Sequence, residues 1–193
     1  MPPRMIVVAG PPGGGKSSIF PLVRLGTRYF NADDRAAALN GGSYLGIPKQ
    51  IRETVNREFE AFVSDCISQR ETFAIETTLR STVTFDQAKS ARTAGFVTEM
   101  RYLTLKNFAM HLERIKQRAD AGGHSASERT LRRIYDLSLA NLARAFAEID
   151  ELWVYDNSEF AGPPTLLLES VKGTVRFLAD DPPTWLTAAL PSL

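Results

Sequence analysis

The amino-acid sequence predicts a three-layer α/β fold, in which helices flank a mostly parallel sheet of five or more strands. Two observations carry this prediction. Short apolar runs alternate with long helical patterns, the order expected when parallel strands are joined by helices. The first run, M-I-V-V-A at residues 5–9, contains no polar residue, as expected of a strand buried on both faces of a sheet.

The boundaries of the elements are marked by capping residues, proline and glycine. Asn31, Asp33 and Asp34 form a typical helix N-cap cluster, and apolar residues recur at helical spacing after Pro48. Strands are predicted at residues 5–9, 27–30, 72–75, 96–105 and 152–155. Helices are predicted at residues 16–25, 51–67, 82–94, 108–118 and 128–149, and a hairpin or pair of edge strands at 166–178, turning at Lys172 and Gly173.

Length and composition predict one soluble domain over residues 1–193. Its core is expected over about residues 5–160 and includes an arginine-rich helical lid at about 114–133. Residues 161–193 are expected to form an extension packed on the core. The 44% apolar and 23% charged shares are ordinary, and the net charge of +1 gives no reason to expect nucleic acid or a membrane as partner. The single cysteine, Cys66, excludes an internal disulfide, and a cytoplasmic location is expected.

A glycine-rich loop follows the first strand and matches the pattern G-x-x-x-x-G-K-[ST]. Glycines let successive backbone N–H groups turn around phosphate oxygens. The lysine of such a loop reaches the β- and γ-phosphates, and its hydroxyl can bind Mg²⁺. The motif therefore predicts a site for ATP or GTP with Mg²⁺ on Ser17, as opposed to a plain glycine turn. Its binding residues are Gly10, Pro11, Pro12, Gly13, Gly14, Gly15, Lys16, Ser17 and Ser18.

Carboxylates at the ends of two further strands suggest a phosphotransferase. Such an enzyme needs a base near the γ-phosphate, and Asp33 is the candidate, although Asp33 or Asp34 could instead only cap the next helix. Glu76 could orient an acceptor or hold Mg²⁺ through water, or be an ordinary strand-end carboxylate. Because the strand T-F-A-I-E ends in a single Glu, a transferase is favoured over a hydrolase. The acceptor-side candidates are Glu76, Thr77, Thr78 and Arg80.

Arginines on both sides of a glycine break at residues 121–124 suggest a lid. Guanidinium groups on a closing lid would neutralise the transferring phosphoryl group and exclude water, whereas arginines on a helix more often face solvent. Arg118 and Arg133 are the first candidates, with Arg132 and Arg114 as substitutes. His111 is expected on a helix surface, and His124 lies in the break.

The order of several motifs resembles the zeta-toxin family of P-loop kinases, most closely its stand-alone bacterial members. The matching segments, over roughly residues 5–158, are G-P-P-G-G-G-K-S, F-N-A-D, F-A-I-E-T-T-L, G-G-H, S-L-A-N-L and Y-D-N-S. The resemblance implies phosphorylation of a sugar hydroxyl by ATP or GTP with Mg²⁺. In the toxins the acceptor is the amino sugar of UDP-N-acetylglucosamine.

Position by position, the resemblance supports several of the candidate residues. Lys16 and Ser17 match the phosphate-loop lysine and hydroxyl, Asp33 the general base, and residues 76–78 an acceptor-side segment. Arg132 and Arg133 match the phosphate-clamping region that follows the glycine break at residues 121–124. Glu53, in a segment without a matching motif, is a further candidate for acceptor binding.

The sequence thus predicts a small-molecule kinase, with a nucleotide sugar such as UDP-N-acetylglucosamine as the leading acceptor. Two alternatives remain open. One is a kinase of another acceptor, such as an antibiotic or a nucleoside, and the other is a nucleotide-binding regulator or NTPase without phosphotransfer. An antitoxin protein stays open as a partner, because the sequence of one chain does not show whether such a protein exists.

Overall fold

In a computed structural model that describes residues 1–120, 126–159 and 162–190, the described strands form one sheet. Its order is β2-β3-β1-β4-β5-β6-β7, parallel through β5 and antiparallel from β5 to β7. The predicted α/β fold with a mostly parallel sheet is confirmed. The strands are β1 (Arg4–Ala9), β2 (Arg28–Phe30), β3 (Phe73–Thr77), β4 (Val97–Thr104), β5 (Glu151–Asp156), β6 (Thr165–Val171) and β7 (Thr174–Leu178).

The helices connect these strands close to the predicted positions. They are α1 (Lys16–Ile19), α2 (Ala32–Leu39), α3 (Lys49–Gln69), α4 (Val83–Thr93), α5 (Phe108–Asp120), α6 (Glu128–Glu148) and α7 (Thr184–Ala189). The predicted turn at Lys172 and Gly173 joins β6 to β7, and both residues have positive φ. The last helix, α7, was not predicted. None of the helices in the described ranges is long and apolar enough to cross a membrane.

The first predicted helix, at residues 16–25, is wrong in extent. Helix α1 is a single turn, and a separate 3-10 helix spans Leu22–Leu25. Pro21 explains the break, because proline cannot donate a backbone hydrogen bond and disfavours helical backbone at the residue before it. Phe20 accordingly has the non-helical angles φ −124° and ψ 63°. The phosphate loop is therefore followed by one helical turn only.

Alternate residues of β1 face two different apolar clusters. Met5, Val7 and Ala9 face the larger one, whose members come also from α3, α4, α6 and α7. Ile6 and Val8 face a small cluster with Leu22, against which Phe20 and Leu25 pack. The apolar cluster on one side of β1 is thus much smaller than the cluster on the other side.

Candidate functional site

The glycine-rich loop, residues 10–18, leaves the carboxyl end of β1 in a backbone conformation that its glycines make possible. Gly10 has φ 136° and Gly15 has φ 93°, values that L side chains rarely adopt. A Cβ atom on Gly10 would clash with the carbonyl oxygen of Leu103, and one on Gly15 with the side-chain amide of Asn157. These two glycines therefore allow the loop to lie directly against β4 and the end of β5.

Lys16 and Ser17 both point toward Glu76 at the end of the adjacent strand β3. Lys16 is only 7% exposed, and its Nζ donates hydrogen bonds to the carbonyl oxygens of Gly10 (2.9 Å) and Pro11 (3.2 Å). The same Nζ lies 3.8 Å from Glu76 Oε1, and Ser17 Oγ donates to Glu76 Oε2 at 3.1 Å. The phosphate-loop lysine, the hydroxyl and a strand-end carboxylate are thus brought together.

The environment of Glu76 holds the pKa of its carboxyl group above the ordinary value. Burial raises the pKa of Glu76, and the charges of Asp33 and Asp34 add to this, while Lys16 and the hydrogen bond from Ser17 oppose it. A cation placed among these oxygens would favour the ionised form. Burial and a bound cation would thus act on the pKa of Glu76 in opposite directions.

Asn31, not Asp33 or Asp34, caps helix α2. Its side-chain oxygen accepts hydrogen bonds from the backbone N–H groups of Asp33 (3.0 Å) and Asp34 (3.2 Å). Asp34 instead accepts a hydrogen bond from the Tyr44 hydroxyl at 2.8 Å. The alternative that Asp33 only caps a helix is thus not supported. The Asp33 side chain lines the same cleft as Lys16.

This cleft has a volume of about 650 Å³ and lies at the carboxyl ends of the parallel strands. Ligands of open α/β sheets bind at this edge, because the connecting loops diverge there. Its lining includes residues of the phosphate loop and, at and just after the end of β3, Glu76, Thr77 and Thr78. Helix α3 contributes Arg52, Asn56, Phe59 and Glu60 to the lining.

The segment after β3 holds the acceptor-side candidates in an unusual backbone conformation. Leu79 has φ 56°, which is rare for a residue other than glycine, and its side chain is fully buried. Its N–H donates to Thr77 Oγ1 at 3.1 Å, and its carbonyl oxygen accepts from Asn141 Nδ2 at 2.8 Å. With Leu79 anchored, Thr78 and Arg80 line the cleft on either side of it.

Glu53, by contrast, does not line the cleft. Its carboxylate is exposed and lies 3.4 Å from the ammonium group of Lys49 on the same helix. The α3 residues that do line the cleft, at positions 52, 56, 59 and 60, follow helical spacing on the neighbouring face.

Of the four lid arginines, Arg114 lines the cleft. Its Nη2 donates to the carbonyl oxygen of Asn157 at 2.7 Å. Arg132 is exposed, pairs with Asp136 at 3.0 Å and lies over the Phe108 ring, and Arg133 is exposed on α6. The side chain of Arg118 and the break at residues 121–125, which includes His124, lie outside the described residues.

Two residues brace the phosphate loop, and neither was assigned this role from the sequence: His111, and Asn157 in the polar segment D-N-S that follows β5. His111 was expected on a helix surface, which is wrong: it is 1% exposed and contacts Pro12, Thr104 and Leu105. The signal was its spacing, four residues before buried Ile115 on the apolar stripe of α5. Asn157, 7% exposed, donates through Nδ2 to the carbonyl oxygen of Gly14 at 2.9 Å.

The oxygen atoms in the cleft fit Mg²⁺ bound together with a triphosphate. Among the described residues, no group of three or more His, Cys, Asp or Glu side chains forms a cation site of its own. Mg²⁺ in nucleotide sites, however, takes only one or two protein oxygens and completes its shell with phosphates and water. The Ser17 hydroxyl, hydrogen-bonded to Glu76, supplies that kind of ligand.

Comparison with known proteins reveals similarity in structure only. No family model and no curated protein matches the sequence. A structure from the PezAT toxin–antitoxin system of Streptococcus pneumoniae matches with TM-score 0.67 and 14% identity, over 99% of this chain and 79% of that one. The AvrRxo1-ORF1:ORF2 complex with ATP matches with TM-score 0.74 and 14% identity, over 99% and 64%.

A third similar structure is a putative kinase from Chloroflexus aurantiacus, with TM-score 0.55 and 17% identity over 72% of this chain and 79% of that one. Likenesses at such low identity establish the fold. The chain therefore shares its α/β fold with these structures, one of which comes from a toxin–antitoxin system. The resemblance predicted from the sequence is confirmed at this level.

Proposed function

We propose that this chain is a phosphotransferase that moves the γ-phosphate of ATP or GTP to a hydroxyl group of a small molecule. The observation that carries the proposal is the single cleft lined by the phosphate loop, Asp33 and Glu76. A site that only held Mg²⁺ and a nucleotide would need the loop and one carboxylate such as Glu76, whereas this cleft carries Asp33 as a second one. Asp33 supplies a proton acceptor next to the place where the loop would hold the γ-phosphate.

The chain's own residues divide the work of transfer. Lys16 and the N–H groups of the loop bind the β- and γ-phosphates, and Arg114 adds positive charge from α5. The oxygen of the acceptor hydroxyl attacks the γ-phosphorus, and the bond from that phosphorus to the β-phosphate breaks. Asp33 accepts the proton that the hydroxyl loses. Ser17 would hold Mg²⁺, which neutralises charge on the phosphate oxygens when bound. Arg118, Arg132 and Arg133 remain candidates for a lid that closes over the phosphates.

We expect the acceptor to be a nucleotide sugar, with UDP-N-acetylglucosamine first. The resemblance of the motifs supports this choice. The polar side chains of Arg52, Asn56 and Glu60 could hydrogen-bond sugar hydroxyls and anionic groups, and Phe59 could stack on a ring. Thr77, Thr78 and Arg80 would contact the acceptor near the transferring phosphate, and Glu76 would orient it.

Two of the structures with a similar fold also suggest a protein partner. One comes from a toxin–antitoxin system, and the other is a complex of two open reading frames. An antitoxin that blocks the cleft is therefore part of the proposal. A cytoplasmic location is also part of it, because nucleotide sugars and ATP occur together there.

The proposal is tested with purified protein, Mg²⁺, radiolabelled ATP or GTP and a panel of nucleotide sugars, amino sugars, nucleosides and aminoglycosides. We expect label transfer to one acceptor class, led by UDP-N-acetylglucosamine. Transfer to an antibiotic or nucleoside alone would keep the kinase and replace the acceptor. Hydrolysis that no acceptor stimulates, or nucleotide binding without any product, would overturn the proposal in favour of an NTPase or a regulator.

A further inference from the structure

Two side chains on one face of helix α5 hold the phosphate loop, one directly and one through Asn157. His111 hydrogen-bonds to the carbonyl oxygen of Pro12 through Nδ1 at 2.8 Å. Arg114, three residues later, donates to the carbonyl oxygen of Asn157, whose side-chain amide donates to the carbonyl oxygen of Gly14. The loop is thus tied at two carbonyl groups that lie two residues apart.

The neighbours of His111 fix which nitrogen carries the proton. The backbone N–H of Leu105 can only donate, and it lies 3.0 Å from Nε2, so Nε2 accepts. Thr104 Oγ1 lies 3.1 Å from the same nitrogen. The proton of the neutral ring is therefore on Nδ1, where it donates to the Pro12 carbonyl oxygen. Burial, followed by the charges of Lys16 and Arg114, lowers the pKa of His111 to about 4, which keeps the ring neutral near pH 7.

The hydrogen bond from His111 to the Pro12 carbonyl oxygen also orients the N–H group of Gly13. In a trans peptide, the carbonyl of one residue and the N–H of the next point in opposite directions. Holding the Pro12 carbonyl against α5 therefore turns the Gly13 N–H away from α5. Pro12 and Gly13 both line the cleft, and they are the central residues of a turn closed by the Gly14 N–H and the Pro11 carbonyl oxygen at 3.3 Å. A turn closed in this way accommodates two orientations of its central peptide, so the turn alone does not fix the direction of the Gly13 N–H.

From this geometry we infer that His111 is a positioning residue for nucleotide binding: its Nδ1–H fixes the peptide between Pro12 and Gly13 so that the Gly13 N–H faces the phosphates. The inference rests on the proposed function only in that the loop binds a nucleoside triphosphate. His111 itself does not touch the nucleotide. Without its bond to Pro12, the peptide samples other orientations and one phosphate donor is lost for part of the time.

Two substitutions of His111 separate the bond to Pro12 from the burial of the ring. The Asn side chain of His111→Asn places an N–H donor close to the position of Nδ1 and keeps the bond to Pro12. The Gln side chain of His111→Gln reaches the position of Nε2, keeps an acceptor for Leu105 and loses that bond. The dissociation constant of a non-hydrolysable ATP analogue with Mg²⁺ is measured by calorimetry, beside the midpoint of thermal unfolding.

We expect His111→Gln to weaken binding of the ATP analogue on the order of tenfold, the effect of losing one hydrogen bond to a charged group, and His111→Asn to bind within about twofold of wild type. Equal weakening in both variants, or none in His111→Gln, would overturn the inference. If wild type binds no nucleotide, the proposed function fails first. Should a variant not fold, ¹⁵N NMR of the wild-type imidazole decides, because a proton on Nε2 contradicts the proposed bond.

Discussion

Asp33 lies in the first turn of α2, in a cluster of three residues that can all cap a helix. Because Asn31 accepts the N–H groups of both Asp33 and Asp34, the Asp33 carboxylate is not used in capping. It lines the cleft, whereas the neighbouring Asp34 bonds to Tyr44. Two adjacent carboxylates of the same type thus have different surroundings, which makes them a natural pair for a test of the base.

Asp33→Asn is expected to lower the rate of phosphate transfer by about 10²- to 10⁴-fold, because the amide cannot accept the hydroxyl proton. The affinity for the ATP analogue should stay the same, since the loop is intact. Steady-state transfer to the acceptor identified in the panel and calorimetry measure the two quantities. Asp34→Asn is the matched control and should transfer at nearly the wild-type rate. Equal losses in both variants would remove Asp33 as the base.

The helix α2 shows how one capping residue organises a whole element of the site. Asn31 satisfies two N–H groups at the start of the helix, and Arg35 farther along pairs with Glu58 on α3 at 2.6 Å. The N-cap therefore also fixes where α2 begins beside the cleft. The loop at residues 10–18 is organised differently, by contacts from β4, α5 and the end of β5.

Asn31→Ala is expected to lower the free energy of unfolding by about 1 kcal/mol, the usual effect of removing an N-cap side chain. Urea unfolding followed by circular dichroism measures this change. Asn31→Asp keeps an oxygen acceptor for the same two N–H groups and should remain within about 0.5 kcal/mol of wild type. If both variants lose the same stability, the cap does not explain the effect.

At the scale of the whole molecule, the strand order creates the site. Strand β1 lies between β3 and β4, so the phosphate loop leaves the sheet beside the end of β3 and near the end of β2. Residues as far apart in sequence as Lys16, Asp33, Glu76 and Arg114 therefore line one cleft. Buried His111 also makes the stability of the whole chain depend on pH.

The free energy of unfolding should fall as the pH is lowered from about 6.5 to about 4. Burial holds the pKa of His111 at about 4 in the folded chain, against an ordinary value of 6.5, so the unfolded chain binds more protons in this interval. The full loss amounts to about 3 kcal/mol for this group. His111→Asn removes the titrating group, so the difference in unfolding free energy between wild type and variant should depend on pH. A pH-independent difference would contradict this prediction.

The sequence by itself determined the elements and the nucleotide loop. Unbroken apolar runs mark buried strands, the glycine pattern marks the loop, and Lys172-Gly173 marks the turn of the hairpin, because each of these depends on nearby residues only. Pro21 also carried the local signal that ends α1 at Ile19, although the predicted helix ran through it.

Only the tertiary structure decided which side chains meet. Asn31 and not Asp33 caps α2, Arg114 and not Arg132 or Arg133 lines the cleft, and His111 is buried against Pro12. The outcomes for Arg114 and His111 depend on which strands are neighbours and on how α5 packs against the loop, whereas the cap of α2 depends on the local backbone at the end of β2. Contacts between distant segments are set by strand order and helix packing, which local residue patterns do not encode one by one.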